Sequence, residues 1–60
     1  MKSDDIPRGL RRADAARYIG VSPSKFDQLR KAGEVPPARD MFGLMVWDRA
    51  DLDSLFQRAA

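Results

Sequence analysis

The segment Gly20-Val21-Ser22-Pro23 ends one helix and begins another within a few residues. Glycine takes the left-handed backbone conformation that terminates many helices, and Ser22 is a preferred N-cap residue. Pro23 suits the first helical position, because the N–H group that proline lacks would have no partner there. We therefore predict two short helices joined by a tight turn, a pattern that helix-turn-helix units share with ordinary helical hairpins.

The first predicted helix, residues 12–19, contains several alanines. Ala13, Ala16 and Ile19 follow at three-residue steps and are predicted to share one face. Small side chains on that face let a second helix approach closely. Tyr18 can pack its ring against the edge of the core and offer its hydroxyl to a phosphate.

The second predicted helix begins after Ser22 and ends near Ala32, where Gly33 closes it. Phe26 and Leu29 are three residues apart and are predicted to enter the core. The opposite face is predicted to carry Ser24, Gln28 and Lys31, flanked by Lys25 and Asp27.

Pro36-Pro37 prevents further helix. Residues 38–41 and 44–47 are predicted to form a small hairpin around a turn at Phe42-Gly43. Trp47 ends the second strand and is predicted to lie in the core. The expected fold is mainly α with a small β-hairpin.

A final helix is predicted to follow Asp48, which can cap its first turn. Asp51, three residues further on, would approximate a capping box, and both acids favour the positive end of the helix. The apolar stripe predicted for this helix consists of Leu52, Leu55, Phe56 and Ala59.

With 60 residues the chain forms one domain, predicted over 10–60 after a flexible lead-in over 1–9. The absence of cysteine and histidine excludes disulfides and the usual zinc sites, and removes the commonest catalytic base. We therefore expect no enzyme activity and no cofactor. No apolar run reaches the length of a membrane span, so a cytoplasmic protein with no membrane partner is expected.

Positive charge is concentrated in the first half of the chain. Residues 8–31 contain seven basic and two acidic residues, whereas residues 35–60 contain three basic and four acidic ones. Such asymmetry is typical of a surface that faces a polyanion, although ordinary mixed-charge surfaces also show it. The residues predicted to contact DNA are Arg11, Arg12, Arg17, Ser22, Ser24, Lys25, Asp27, Gln28, Lys31 and Arg39.

These candidates differ in their chemistry. Gln28 can bond an adenine edge through two hydrogen bonds, and lysine can reach guanine acceptors or phosphate. Asp27 can accept from a cytosine amino group or orient Lys31 at i+4. The arginines before the turn suit contacts to the phosphate backbone. An alternative for all of them is a solvated basic face without a ligand.

Taken in order, several short motifs resemble the AlpA-like and excisionase-like winged helix-turn-helix proteins, distant relatives of the DNA-binding domain of MerR regulators. The resemblance covers residues 10–57. It is carried by Leu10-Arg11, Ala15-Ala16, Ile19-Gly20-Val21-Ser22, Phe26, Leu29, Gly33-Glu34-Val35-Pro36-Pro37, Trp47 and Asp51-Leu52.

The resemblance implies a helix-turn-helix, a two-stranded wing and a C-terminal helix. It also implies sequence-specific binding to double-stranded DNA by a phage or mobile-element protein. Members act as excisionases, which favour excision by bending DNA at adjacent sites, or as transcription regulators of integrase or prophage genes. The helix after the turn would enter the major groove and the wing the minor groove. Partners would be DNA, further copies of the chain on adjacent sites, and an integrase.

The hairpin departs from this family, whose members often have basic residues in the wing and at the position of Ser24. Arg39 is the only basic residue near the hairpin. If Trp47 faces the core, strand alternation directs Leu44 and Val46 outwards, near Phe42 at the tip. This patch is predicted to contact another copy of the protein or to wedge into a minor groove.

Two other functions stay open at this stage. The same fold can serve as a protein-interaction module that uses the apolar hairpin as its contact surface. It can also form the DNA-recognising domain of a packaging protein.

Overall fold

Three helices and a three-stranded antiparallel sheet make up residues 6–58, which the computed structural model describes. The order of the strands in the sheet is β1-β3-β2. The fold is therefore mixed α/β: the predicted helices and two-stranded hairpin are present, and a short third strand that was not predicted joins the hairpin. The elements are β1 Gly9–Leu10, α1 Arg12–Tyr18, α2 Pro23–Lys31, β2 Arg39–Met41, β3 Leu44–Asp48 and α3 Arg49–Arg58.

The tight turn between α1 and α2 has the predicted chemistry. Gly20 has a φ of +81°, and the Val21 N–H donates to the Ala16 carbonyl oxygen at 2.9 Å, which closes α1. The Ser22 hydroxyl oxygen accepts from the Lys25 N–H at 3.1 Å, and α2 begins at Pro23. Both helix boundaries at the turn are confirmed.

The buried face of α1 differs from the predicted one. Ala15 and Ala16 are fully buried, whereas Ala13 is exposed, so its placement with Ala16 was wrong. The reason is that α1 packs against α2 on one side and against β3 on another, which covers two adjacent positions of a short helix. The alanine side chains permit this close approach on both sides.

The hairpin has the predicted strands and turn. Met41 lies opposite Leu44, and Arg39 lies opposite Val46. Phe42 and Gly43, between the strands, have φ values of +56° and +76°. Two positive φ values are what a type I′ hairpin turn requires, and glycine meets that requirement without strain while phenylalanine does not.

The short strand β1 was not predicted. Gly9 lies opposite Asp48 and Leu10 opposite Trp47, so β1 extends the hairpin on its β3 side. The Arg8 guanidinium donates to the Asp48 carboxylate at 3.1 Å, and Ile6 packs against the core. Residues 6–9, which the sequence assigns to a lead-in, thus contact the domain.

Helix α3 begins as predicted, with the Ala50 N–H donating to Asp48 Oδ1 at 2.9 Å. The reciprocal half of the capping box is replaced, because Asp51 accepts from Arg39 instead. Leu52 is buried as predicted, but Phe56 is 55% exposed, so its assignment to the buried stripe was wrong. Ala59 lies outside the described residues. No helix within residues 6–58 is long and apolar enough to cross a membrane.

Trp47 is at the centre of the core, as predicted. Its side chain is 2% exposed, and its ring meets Phe26 edge-to-face with centroids 5.1 Å apart. Leu29, also predicted to be core, is only half-buried and lies outside the core cluster, because α2 packs mainly against α1 and directs Phe26, not Leu29, into that cluster. The buried core consists of Leu10, Ala15, Ala16, Phe26, Trp47 and Leu52.

Candidate nucleic-acid interface

The outer face of α2 carries three polar side chains in a row. Ser24, Gln28 and Lys31 are spaced by four and three residues, which places them on one side of a helix. Phe26 is directed into the core on the opposite side, and all three polar residues are exposed. Lys25 is exposed beside them. The structure therefore brings the central group of predicted DNA contacts onto one surface.

An open groove, which we call the α2 groove, runs beside this face. It lies between α2, the loop after α2 and β3. Arg12, Arg30 and Lys31 line it together with one acid, Asp27, so cations outnumber the anion. The remaining lining residues are Gly33, Val35, Pro36, Pro37, Ala38 and Met45.

Arg12 and Asp27 form an ion pair across the α2 groove. Arg12 Nε donates to Asp27 Oδ1 at 2.8 Å, and Nη2 donates to Oδ2 at 2.7 Å. These hydrogen bonds lower the pKa of the Asp27 carboxyl below its ordinary value, so the group is charged at neutral pH. The prediction that Asp27 orients Lys31 is corrected, since its ion pairs are with Arg12 and, at 4.0 Å, with Arg30.

Arg30 is a groove residue that the sequence did not reveal. Its guanidinium carbon lies 4.9 Å from the centroid of the Trp47 ring, a cation–π contact. The Trp47 indole N–H in turn donates to the Pro36 carbonyl oxygen at 3.2 Å and holds the loop that forms the groove wall. The only available signal was the position of Arg30 one turn after Phe26, and the partner is 17 residues away in sequence.

The other predicted contacts before the turn are dispersed. Arg11 occupies the N-cap position of α1, and Arg17 lies on the side of α1 away from Ala15 and Ala16; both are exposed. Ser22 is exposed and caps α2 through its hydroxyl oxygen.

The Tyr18 hydroxyl donates to Asp53, a hydrogen bond that raises the pKa of Tyr18. Tyr18 therefore has an internal partner in place of a phosphate.

Arg39, the one basic residue within the two hairpin strands, is directed to α3, where its Nη2 lies 3.2 Å from Asp51 Oδ2. Residues 40–48 contain two aspartates and no basic residue. The tip of the hairpin is therefore apolar, and the hairpin's own cation, Arg39, is paired with Asp51.

The predicted apolar patch is partly corrected. Phe42 is 96% exposed and Leu44 is also exposed, but Val46 is half-buried. Val46 packs over Gly9 so closely that a Cβ there would lie 2.7 Å from Val46 Cγ1. The exposed apolar residues on this face and at the tip, which we call the hairpin patch, are Met41, Phe42 and Leu44, whereas Met45 is exposed on the other face and lines the α2 groove.

Comparison of the chain with models of known protein families, with curated proteins and with solved structures gives no match. The candidate interface is accordingly defined by its own geometry. It consists of the exposed face of α2 with Ser24, Gln28 and Lys31, and of the cationic groove beside it.

Proposed function

We propose that this protein binds double-stranded DNA sequence-specifically as a winged helix-turn-helix domain. In this arrangement α1 braces α2, α2 enters the major groove, and the β2–β3 hairpin is the wing. One observation carries the proposal: a polar, exposed helix face, with Ser24, Gln28 and Lys31 in a row, borders a cationic groove.

The dimensions and chemistry of α2 suit the major groove. An α-helix with its side chains is about 10–12 Å across, and the groove is about 12 Å wide. Gln28 occupies the centre of the outer face, where its amide can pair with an adenine edge. Lys31 lies one turn further on and can reach a guanine or a phosphate. Ser24, one turn earlier, can donate to a base or to the backbone.

Phosphate contacts are expected on both sides of α2. Lys25 flanks the outer face on one side, and the α2 groove with Arg30 and Lys31 flanks it on the other. The indole of Trp47 holds the Arg30 guanidinium in place at the groove. Because these contacts touch the sugar–phosphate chain, they orient the helix on DNA without reading its sequence.

The biological role that we propose follows the sequence resemblance to AlpA-like and excisionase-like proteins. The protein acts on the DNA of a phage or other mobile element, either as an excisionase or as a transcription regulator. Both roles use the same surface of α2. If the protein is an excisionase, we expect an integrase to be its protein partner. If it is a transcription regulator, we expect an integrase gene to be among the genes that it regulates.

The direct test is selection from a pool of random DNA duplexes, followed by binding measurements at several salt concentrations. We expect a recurrent motif of a few base pairs. The plot of log K against log salt should have a slope of about −2 to −4, at about −0.9 per phosphate contact. Absence of binding at about 50 mM salt, or a selected pool without a common motif, would show that the protein is not a sequence-specific DNA binder.

Two variants that each remove one positive charge show which surface of the protein binds DNA. Lys31→Ala should weaken binding and make the slope shallower by about one unit, because it removes one phosphate or base contact. Arg58→Ala removes the same charge from the exposed end of α3, outside the groove, and should change the slope little. Equal effects of both variants would mean that only net charge matters.

The hairpin patch favours a second candidate function, contact between protein copies on adjacent DNA sites. Phe42 is almost fully exposed and has a positive φ that is unfavourable for a bulky residue, so both features cost stability in the isolated chain. Asp40, in β2, is exposed and would repel phosphates, whereas the charge of Asp48 is neutralised by Arg8. An apolar protein surface therefore suits this patch better than the walls of a minor groove.

Leu44→Ser tests this second candidate. We expect the variant to bind one isolated site with wild-type affinity but to lose cooperativity on an array of sites, because only contacts between copies are weakened. Reduced affinity for the isolated site, together with weaker bending of that DNA, would instead assign the patch to a minor-groove wedge. Unchanged behaviour in both assays would assign it no role in binding.

A further inference from the structure

We propose that Asp27 is an internal substitute for a DNA phosphate. Its carboxylate accepts the hydrogen bonds that the Arg12 guanidinium would otherwise donate to a phosphate in the α2 groove, and it thereby weakens binding to DNA of every sequence. This inference rests on the proposed DNA-binding function. It assigns to an acidic residue of the interface the task of limiting non-specific affinity, so that base contacts such as those of Gln28 decide where the protein binds.

The geometry of the pair supports this assignment. The Arg12 guanidinium meets both carboxylate oxygens of Asp27 through two nearly parallel hydrogen bonds of 2.8 and 2.7 Å. An arginine fork binds carboxylate and phosphate in this same two-point manner, so the two anions compete for one donor face. Asp27 therefore holds Arg12 in the arrangement that a DNA phosphate would require.

The position of the pair supports it as well. Asp27 precedes Gln28 in α2 and lines the same groove as Arg12, Arg30 and Lys31. A phosphate chain that passes along the groove would meet this carboxylate, which lies within 4.0 Å of Arg30 also. One acid thus lowers the positive potential around two of the three groove cations.

The Arg12–Asp27 ion pair contributes little to the folding stability of the domain. The side chains of Arg12 and Asp27 are 48% and 41% exposed, and ion pairs open to water contribute little to folding. The contact between α1 and α2 is already made by Ala15, Ala16 and Phe26, which are fully buried. The charge of Asp27 therefore has its main effect on what the groove attracts.

The test is Asp27→Asn, which keeps the size of the side chain and removes its charge. We expect random-sequence duplexes to bind about 3- to 10-fold more tightly, and the salt slope to steepen by about 0.9, because Arg12 becomes free to contact a phosphate. The ratio of specific to non-specific affinity should fall. Asp27→Ser removes the same charge with a smaller side chain and should give the same direction of change.

Asp14→Asn is the matched control. Asp14 is exposed in the first turn of α1 and does not line the groove, so this variant makes the same change in net charge elsewhere. We expect less than about a 2-fold gain in affinity, because the ion pairs of the groove cations Arg12 and Arg30 are with Asp27 and not with Asp14. Equal gains from Asp14→Asn and Asp27→Asn would overturn the proposal.

A double variant shows whether Asp27 acts through Arg12. Arg12→Ala should change the salt slope little in the wild-type protein, because the Arg12 guanidinium is already hydrogen-bonded to Asp27 there. In the Asp27→Asn variant, Arg12→Ala should abolish the steepening. If Arg12→Ala has the same effect in both proteins, Asp27 repels DNA directly and the proposed substitution of one anion for the other is wrong.

The remaining outcomes are also distinct. Wild-type protein that binds no duplex at low salt contradicts the proposed function and this inference together. Wild-type binding without any gain in Asp27→Asn contradicts the inference alone. A loss of affinity confined to the selected motif would make Asp27 a reader of a base, such as the cytosine amino group, and would overturn its role as a substitute phosphate. Thermal unfolding of each variant confirms that the folded protein is being compared.

Discussion

Trp47→Ala is expected to lower the free energy of unfolding by about 3–5 kcal/mol. The indole is 2% exposed, packs edge-to-face on Phe26, and lies opposite Leu10 in the sheet. Its removal leaves a cavity that so small a core cannot fill and frees the Pro36 carbonyl from its N–H donor. A domain of this size has a total stability of roughly 3–9 kcal/mol, so the variant should be largely unfolded. Urea denaturation followed by circular dichroism measures the effect.

Phe56→Ala is the control for this substitution, because it removes an aromatic ring that is 55% exposed. We expect a change of less than about 1 kcal/mol, as for surface positions in general. Trp47→Phe should fall between the two, since it retains a ring against Phe26 but loses the indole N–H. A Trp47→Ala protein that keeps its unfolding midpoint and loses DNA binding would show that Trp47 is a contact residue and not the centre of the core.

Gln28→Ala is expected to weaken binding to the selected DNA motif by about 1–3 kcal/mol while leaving affinity for random duplexes almost unchanged. Gln28 is exposed at the centre of the outer face of α2, and its neutral amide contributes nothing to the attraction between charges. Its loss should therefore relax the base preference at one position of the motif. Titrations of the selected and random duplexes at the same salt concentration measure both quantities.

Gln57→Ala is the matched control, because it makes the same substitution on an exposed position of α3. It should change neither affinity. If Gln28→Ala weakens binding to selected and random duplexes equally, Gln28 contacts the backbone and must be removed from the residues that read bases. If it changes neither, α2 does not present this face to the major groove.

The local features of the fold could be predicted from the sequence. Gly20, Ser22 and Pro23 predict the end of α1 and the start of α2, and the structure places both boundaries there. The turn at Phe42-Gly43 and the cap at Asp48 were also predicted. Each of these features depends on hydrogen bonds and backbone preferences that span at most a few residues, so the order of residues alone determines them.

The candidate site was predictable only in part. The residues of the outer face of α2 follow from helical spacing once Phe26 is recognised as buried, and Ser24, Gln28 and Lys31 indeed share that face. Their helical spacing could not reveal that Asp27 is held by Arg12 of α1. The predicted partner of Asp27 was Lys31, four residues away, because local spacing identifies only neighbours on the same helix.

The sequence by itself determined where the helices and the hairpin begin and end, through interactions between near neighbours. Only the tertiary structure decided that β1 joins the sheet, that Arg30 stacks on Trp47, and that Arg12 pairs with Asp27. Those contacts join residues far apart in the chain, such as Gly9 and Asp48, whose meeting depends on how whole elements pack. Packing also decides which side of a short helix is covered. For that reason the residues of α1 that are buried differ from those that the apolar spacing predicted to be buried.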